Sequence, residues 1–148
     1  MPQKIKLTLL LFAIANILTV NIYGQVFSPY IVVDQFGYTK NANKIAVLRS
    51  PQTGFDAPSS YTPGNTISLK NAVTNAVVLS AAPMVYKAGI TDAISGDKVW
   101  WFDFSSVQAE GFYYVMDESN NAKSATFIIT DTVYKSILKA ATKSFFYQ

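Results

Sequence analysis

Nine carboxylates, and no histidine or cysteine, bound the chemistry open to this chain of 148 residues. Without His or Cys there is no thiolate nucleophile, no Cys–His dyad, no serine triad resting on His, and none of the usual zinc sites. What remains is carboxylate chemistry, which needs two acids converging on one substrate bond. Asp117 and Glu118 are adjacent. On a strand they point to opposite faces and cannot share a substrate, and at a hairpin end they read as solvated turn residues. Asp103 lies between Phe102 and Phe104 with no second acid placed beside it. It reads as a strand-end side chain bonding the backbone of the Ser105–Val107 turn. Asp34 and Asp56 are isolated. Asp92 and Asp97 flank a turn containing Gly96. The run DAISGD lacks the dense ligand spacing of an EF-hand, so a plain turn is expected there rather than a calcium loop. No catalytic residue, metal ion or cofactor is expected of this segment.

Aromatic residues offer a second kind of chemistry, the stacking of sugar rings. Trp100 and Trp101 are the obvious candidates. Alternation along a strand lets only one of them face a core. The other belongs to an outer face, where a large aromatic marks either a glycan contact or packing against another domain. The residues alone leave both open. There is no Walker loop, no GxGxxG after a strand, no G-x-S-x-G and no N-x-S/T sequon.

The elements that must position these residues are short strands. The stretch VWWFDFSSVQAEGFYYV, Val99 to Val115, alternates with period two on both sides of a connector, Ser105 to Gly111. Before it, Tyr30–Asp34 and Ile45–Arg49 are β-branched runs that could pair, separated by a turn at Gly37 and the polar TKNANK. Ser50–Asn65, rich in Pro, Gly, Ser and Thr, reads as an insertion or a pair of turns. Further strands are expected at Thr66–Leu69, Ala76–Ala81 and Met84–Ala88, with Asn71 and Asn75 punctuating a hairpin and Pro83 at an edge or bend. Asp117–Ala122 is a polar turn, and Ser124–Ile129 the last strand. About seven short strands at this spacing predict a mainly β fold, an antiparallel immunoglobulin-like β-sandwich.

After Ile129 the period changes. Tyr134, Ile137, Leu138, Ala141 and Phe145 fall on one face of a helix, and Lys135, Lys139 and Lys143 on another. Asp131 or Thr132 is placed to cap it. Phe145, Phe146 and Tyr147 form an aromatic tip that needs a partner.

The N-terminal run to Gln25 has the pattern of a secretory signal peptide. Lys4 and Lys6 precede an apolar Leu7–Val20, and Tyr23 and Gly24 suit cleavage before Gln25. The run falls short of the ~20 apolar residues that spanning needs, and Asn16 interrupts it, so no stable membrane anchor is expected. Lipidation is excluded by the lack of Cys. The leader carries two of the 12 basic residues and none of the nine acidic ones, so the remainder is 10 minus 9, or +1. That balance gives no support for nucleic-acid binding. The domains expected are therefore a signal peptide over 1–24, a sandwich over 25–130 and a helix over 131–148. The expected location is secreted or periplasmic.

Six segments in order carry a resemblance: VDQFGY (Val33–Tyr38), KIAVL (Lys44–Leu48), DFS (Asp103–Ser105), EGFYYV (Glu110–Val115), ATFIITDTVY (Ala125–Tyr134) and KSFFYQ (Lys143–Gln148). Together they resemble the N-terminal immunoglobulin-like domain of glycoside hydrolase family 9 cellulases. The resemblance implies a bacterial secreted enzyme hydrolysing β-1,4-glucan with inversion, its acid and base in a separate (α/α)6 barrel. Those residues lie downstream of the matching segments, so none is carried over. It further implies that 131–148 is the first barrel helix, cut short, and that the partners are the protein's own catalytic domain and its polysaccharide substrate. Gln35, Gly37 and Tyr38, with Trp100 and Trp101, are the candidates for interdomain or glycan contact. A free-standing carbohydrate-binding module, or a non-catalytic cell-surface module, is the alternative.

Overall fold

The structure, a computed structural model, describes residues 27–147. The expected leader, 1–24, and Gln148 lie outside the described residues. Among the described residues nine short strands and one α-helix follow in chain order: β1 (Ile31–Val32), β2 (Ile45–Pro51), β3 (Ile67–Asn71), β4 (Val77–Ala81), β5 (Met84–Val85), β6 (Asp97–Asp103), β7 (Gly111–Asp117), β8 (Ala122–Lys123), β9 (Phe127–Ile129) and α1 (Lys135–Phe146). The first sheet runs β1-β2-β6-β5 and the second β4-β3-β7-β8, with β9 also on β7. All these strand pairs are antiparallel.

Alternation decides which side chains meet between the sheets. Ala46 and Leu48 of β2 and Phe102 of β6 point inward from the first sheet, and Phe104 follows them. Leu69, Tyr113, Val115, Phe127 and Ile129 point inward from the second. Phe104, Phe127 and Tyr38 form a ring cluster at its centre, with centroids 5.2–5.4 Å apart. Such edge-on and tilted aromatic packing adds to plain burial of area. The two halves of the aromatic stretch fall in different sheets, β6 in the first and β7 in the second, so Ser105–Glu110 carries the chain across the sandwich. Pro83 marks another crossing, between β4 and β5, at the edge where a residue without N–H is tolerated.

Three expected elements are redrawn. Of Ser124–Ile129 only Phe127–Ile129 is strand, and a separate short strand, Ala122–Lys123, lies just before the expected start. The Ser124 hydroxyl accepts from Val115 N at 2.9 Å and donates to the Ala125 carbonyl at 2.8 Å, so a side chain takes a place that a backbone carbonyl would fill. Met84–Ala88 is strand for two residues only, then a tight turn in which Lys87 and Ala88 adopt φ of 45° and 53°. The helix begins at Lys135, and neither Asp131 nor Thr132 caps it. Asp131 is diverted to Lys40, as described below. Asn71 and Asn75 do hold the β3–β4 hairpin: the Asn71 side chain accepts from Val73 N and Thr74 N, and Asn75 adopts φ 59°.

Candidate functional site

The turn Asp34–Tyr38 and the segment leading into α1 meet at one end of the sandwich. Asp34 shapes the turn by accepting from Phe36 N at 2.9 Å. The Tyr38 hydroxyl lies inside it, accepting from Asp34 N at 2.9 Å and donating to the Ile45 carbonyl at 3.2 Å. Burial pushes that hydroxyl's pKa up, so it stays protonated and can donate. Tyr38 then bridges β9 in parallel: its N–H donates to Ile128 O at 2.9 Å, and Thr130 N donates to Tyr38 O at 3.0 Å. Gly37 has φ +100°, and a Cβ there would run into the Ile128 carbonyl and side chain. The turn can lie this close to β9 only because that residue is glycine.

Onto this turn the chain lays the start of α1. The Tyr134 hydroxyl stands 3.3 Å from both Asp34 Oδ2 and the Gly37 carbonyl. One turn of chain away, Lys40 pairs with Asp131 at 2.7 Å and with Glu110 at 3.4 Å, and Lys40 N also donates to the Asp131 carboxylate. These bonds to Lys40 hold the Asp131 carboxyl below its ordinary pKa. Beneath Lys40 is a fully buried cation. Lys44 Nζ donates to the carbonyls of Lys40 (2.6 Å) and Ala42 (3.0 Å), so the amine fixes the loop that carries Lys40. Burial lowers its pKa, against the opposing field of Asp103. The site is thus a joint, in which sandwich residues set where the helix starts. The helix itself buries no side chain: Leu138 is 67 % exposed and Phe145 80 %.

The five residues singled out from sequence do not form one site. Gly37 and Tyr38 are buried in the joint, and Gln35 is exposed at its rim. Trp100 and Trp101 lie in β6 of the first sheet. Trp100 turns inward and packs against the core. Trp101 faces outward opposite Val47 and Met84, and Tyr86 stacks on its ring at 4.6 Å. It is no bare platform. Nothing in TKNANK tells a joint from an ordinary polar turn, so Lys40 and Lys44 are not legible there, and Asp131 reads from sequence only as a helix cap.

The acids are all in use. Asp103 accepts from Ser105 N at 2.8 Å, as its position at the strand end suggested. Asp92 caps its turn through Ile94 N and Ser95 N and pairs with Lys87. Asp97 and Asp56 both bind Arg49. Glu118, exposed, pairs with Lys70. Asp117 departs from expectation: it is fully buried, not solvated. It accepts from the Tyr61 hydroxyl (2.5 Å), Gly64 N (2.9 Å) and Asn120 Nδ2 (2.7 Å). Two of these donors, Tyr61 and Gly64, come from more than fifty residues away, which adjacency to Glu118 could not reveal. With Asp34, Glu110 and Asp131 in the joint, each of the nine carboxylates has a structural partner. Among the described residues no group of three or more His, Cys, Asp or Glu could hold a metal ion. None of their helices is long and apolar enough to cross a membrane.

Two packed antiparallel sheets with this strand order define an immunoglobulin-like domain. The profile of the cellulase N-terminal Ig-like domain matches residues 27–122, and the chain belongs to that family. Among solved structures it is similar to a glycoside hydrolase family 9 protein of Bacteroides ovatus (30 % identity, TM-score 0.62, 80 % of this chain and 19 % of that one). It is also similar to a metagenome-derived family 9 endoglucanase (31 %, TM-score 0.63, 80 % and 21 %). A thermostable endoglucanase from Alicyclobacillus acidocaldarius shares the fold at 17 % identity (TM-score 0.57, 80 % and 18 %). The chain therefore spans about a fifth of the length of these solved relatives. No curated protein matches.

Proposed function

We propose that this chain is the non-catalytic support domain at the N-terminus of an exported family 9 endoglucanase. The parent protein hydrolyses β-1,4-glucan with inversion, and α1 is the first helix of its catalytic domain. The observation that carries the reading is the joint: Tyr134 and Asp131 are fastened to the sandwich, while the helix beyond them has no covered face. A helix that is amphipathic yet unpartnered gains little stability by itself, so its apolar side is built to pack on something further. An inverting glycosidase needs an acid and a base about 6.5–9.5 Å apart with room for a water between them. Nine carboxylates engaged in turns and ion pairs suit a bracket rather than such a site. Residues 1–24 act as a cleaved export signal, and the mature protein is secreted or periplasmic.

The test is to produce the protein from the continuing reading frame beside the chain ending at Gln148, and to assay both on carboxymethylcellulose. Hydrolysis is expected only from the longer protein, with an exported N-terminus at Gln25. Turnover by the shorter chain, or none by the longer, would overturn the proposal.

A further inference from the structure

Two apolar strips lie on the outside of the sandwich, one on each sheet, and they are not equivalent. On the first sheet, Val32, Val47, Trp101 and Met84 are successive cross-strand partners and so share the outer face. The largest of them, Trp101, is already stacked under Tyr86 of the same chain. On the second sheet, Phe112 and Ile128 are direct partners between β7 and β9 and face outward together, Phe112 being 53 % exposed. Ile128 is the residue whose side chain and carbonyl lie against Gly37. Phe36, 59 % exposed, precedes that glycine, and Tyr134, 44 % exposed, hydrogen-bonds its carbonyl. One helical turn on comes Leu138, on the bare face of α1. The second strip is thus tied to the joint through Ile128 and Gly37, and through Tyr134 to the uncovered side of the helix. None of the first strip's pairings involves a residue of the joint.

We infer that the strip Phe112–Ile128–Phe36 is the face of the sandwich that the catalytic domain covers, and that the outer face of the first sheet, Trp101 included, stays free of it. The inference rests on the reading of α1 as the start of that domain. A domain entered through α1 packs on the helix's apolar side, and Tyr134 on that side is hydrogen-bonded to the turn against which Ile128 of this strip lies. The solved relatives supply the scale, since the matched part is about a fifth of each chain and leaves ample protein to cover it.

The absence of native cysteine from this chain makes the test direct. Phe112→Cys, Gln35→Cys and Val32→Cys are introduced one at a time into the longer protein and into the chain ending at Gln148. Maleimide modification of the peptide carrying each cysteine is then followed by mass. Phe112→Cys and Gln35→Cys should react at least tenfold more slowly in the longer protein, and Val32→Cys at the same rate in both. Gln35 is exposed and polar in the native chain, so its variant reads the same edge even if loss of Phe112 disturbs folding. Equal rates at positions 112 and 35, or protection at 32 instead, would overturn the inference. If the longer protein still hydrolyses carboxymethylcellulose in that case, the choice of face fails and the support-domain reading survives. If it neither hydrolyses nor protects, that reading fails as well.

Discussion

The two ends of β2 are closed in opposite ways. At the Pro51 end a long irregular loop is held by buried polar groups. Arg49 donates to both oxygens of Asp97 and to Asp56, Ser50 Oγ accepts from Tyr61 N, and the Tyr61 hydroxyl meets buried Asp117 while its ring stacks on Tyr30 at 4.8 Å. At the Ile45 end the Tyr38 hydroxyl and the buried Lys44 amine shape the loops, but the start of α1 is fastened to them by a parallel backbone bridge beside one glycine, the Tyr134 hydroxyl and exposed ion pairs around Lys40. Buried networks are costly to leave half satisfied, whereas exposed ion pairs contribute little each. The loop end is complete in itself. The joint has position without much cohesion, as suits a place where another body will add the missing contacts. Whether this contrast is real can be tested at both ends.

The largest loss is expected at Asp117. Asp117→Ala leaves the Tyr61 hydroxyl, Gly64 N and the Asn120 amide without their acceptor, at a cost of about 3 kcal/mol. Urea unfolding of the chain should show the midpoint fall, while Glu118→Ala next door leaves it unchanged. Equal effects of the two would dissolve the contrast. Protonation should do the same work more gently. Burial pushes the Asp117 carboxyl up, but the bonds from Tyr61, Gly64 and Asn120 outweigh it and hold the pKa below the ordinary value. A carboxyl lowered in the fold stabilises it above the unfolded value, near ~3.9, and loses that contribution as pH falls through the lower folded value. Asp117→Asn should flatten this part of the acid limb.

Gly37→Ala comes next and strikes the joint. Its φ of +100° disfavours any side chain, and a Cβ would meet the backbone carbonyl of Ile128 first and its side chain next. A cost of about 2 kcal/mol is expected. The turn should lift from β9 and take the Tyr134 contact with it. Hydrogen exchange at Tyr38 N and Thr130 N, the two amides of the bridge, is the measurement. Unchanged protection there would mean that the turn is not what seats the helix.

What could be read from the sequence, and what could not, follows the same division. Periodicity places β6, β7 and the helical face, and a β-branched run places β2, because each is a local signal carried by neighbouring residues. Asp103 was legible for the same reason, its partner Ser105 being two residues away. The resemblance was legible because its segments coincide with fixed geometry: Gly37 and Tyr38 at the bridge, Tyr134 at the seat of the helix. Asp117 was not, since Tyr61 and Gly64 stand 56 and 53 residues from it. The helix cap was misplaced because Lys40, 91 residues before Asp131, competes for that carboxylate. Alternation gave the opposed facing of Trp100 and Trp101, but only the tertiary fold shows which one turns inward and that Tyr86 covers the other.

The smallest effect is expected at Lys40, and it is the most telling about the joint. Its pairs with Asp131 and Glu110 are open to water, so Lys40→Ala should leave the unfolding midpoint of the sandwich unmoved. What should change is local: Asp131 loses its cation but keeps the bond from the backbone N of residue 40, and the segment from Thr130 to Tyr134 is then fixed by that bond, by Thr130 N to Tyr38 O, by the Tyr134 hydroxyl and by the turn hydrogen bonds Val133 N to Thr130 O and Lys135 N to Thr132 O. Exchange at Val133 N and Leu138 N should quicken about threefold in the chain ending at Gln148, a local opening with no global counterpart. Salt should mimic the substitution, since screening weakens exposed pairs first. In the longer protein the same substitution should have no effect on exchange, because packing on the apolar face of α1 would then hold the helix. If Lys40→Ala instead lowers the global midpoint as much as Asp117→Ala, the joint is part of the core, and the two ends of β2 differ in appearance only.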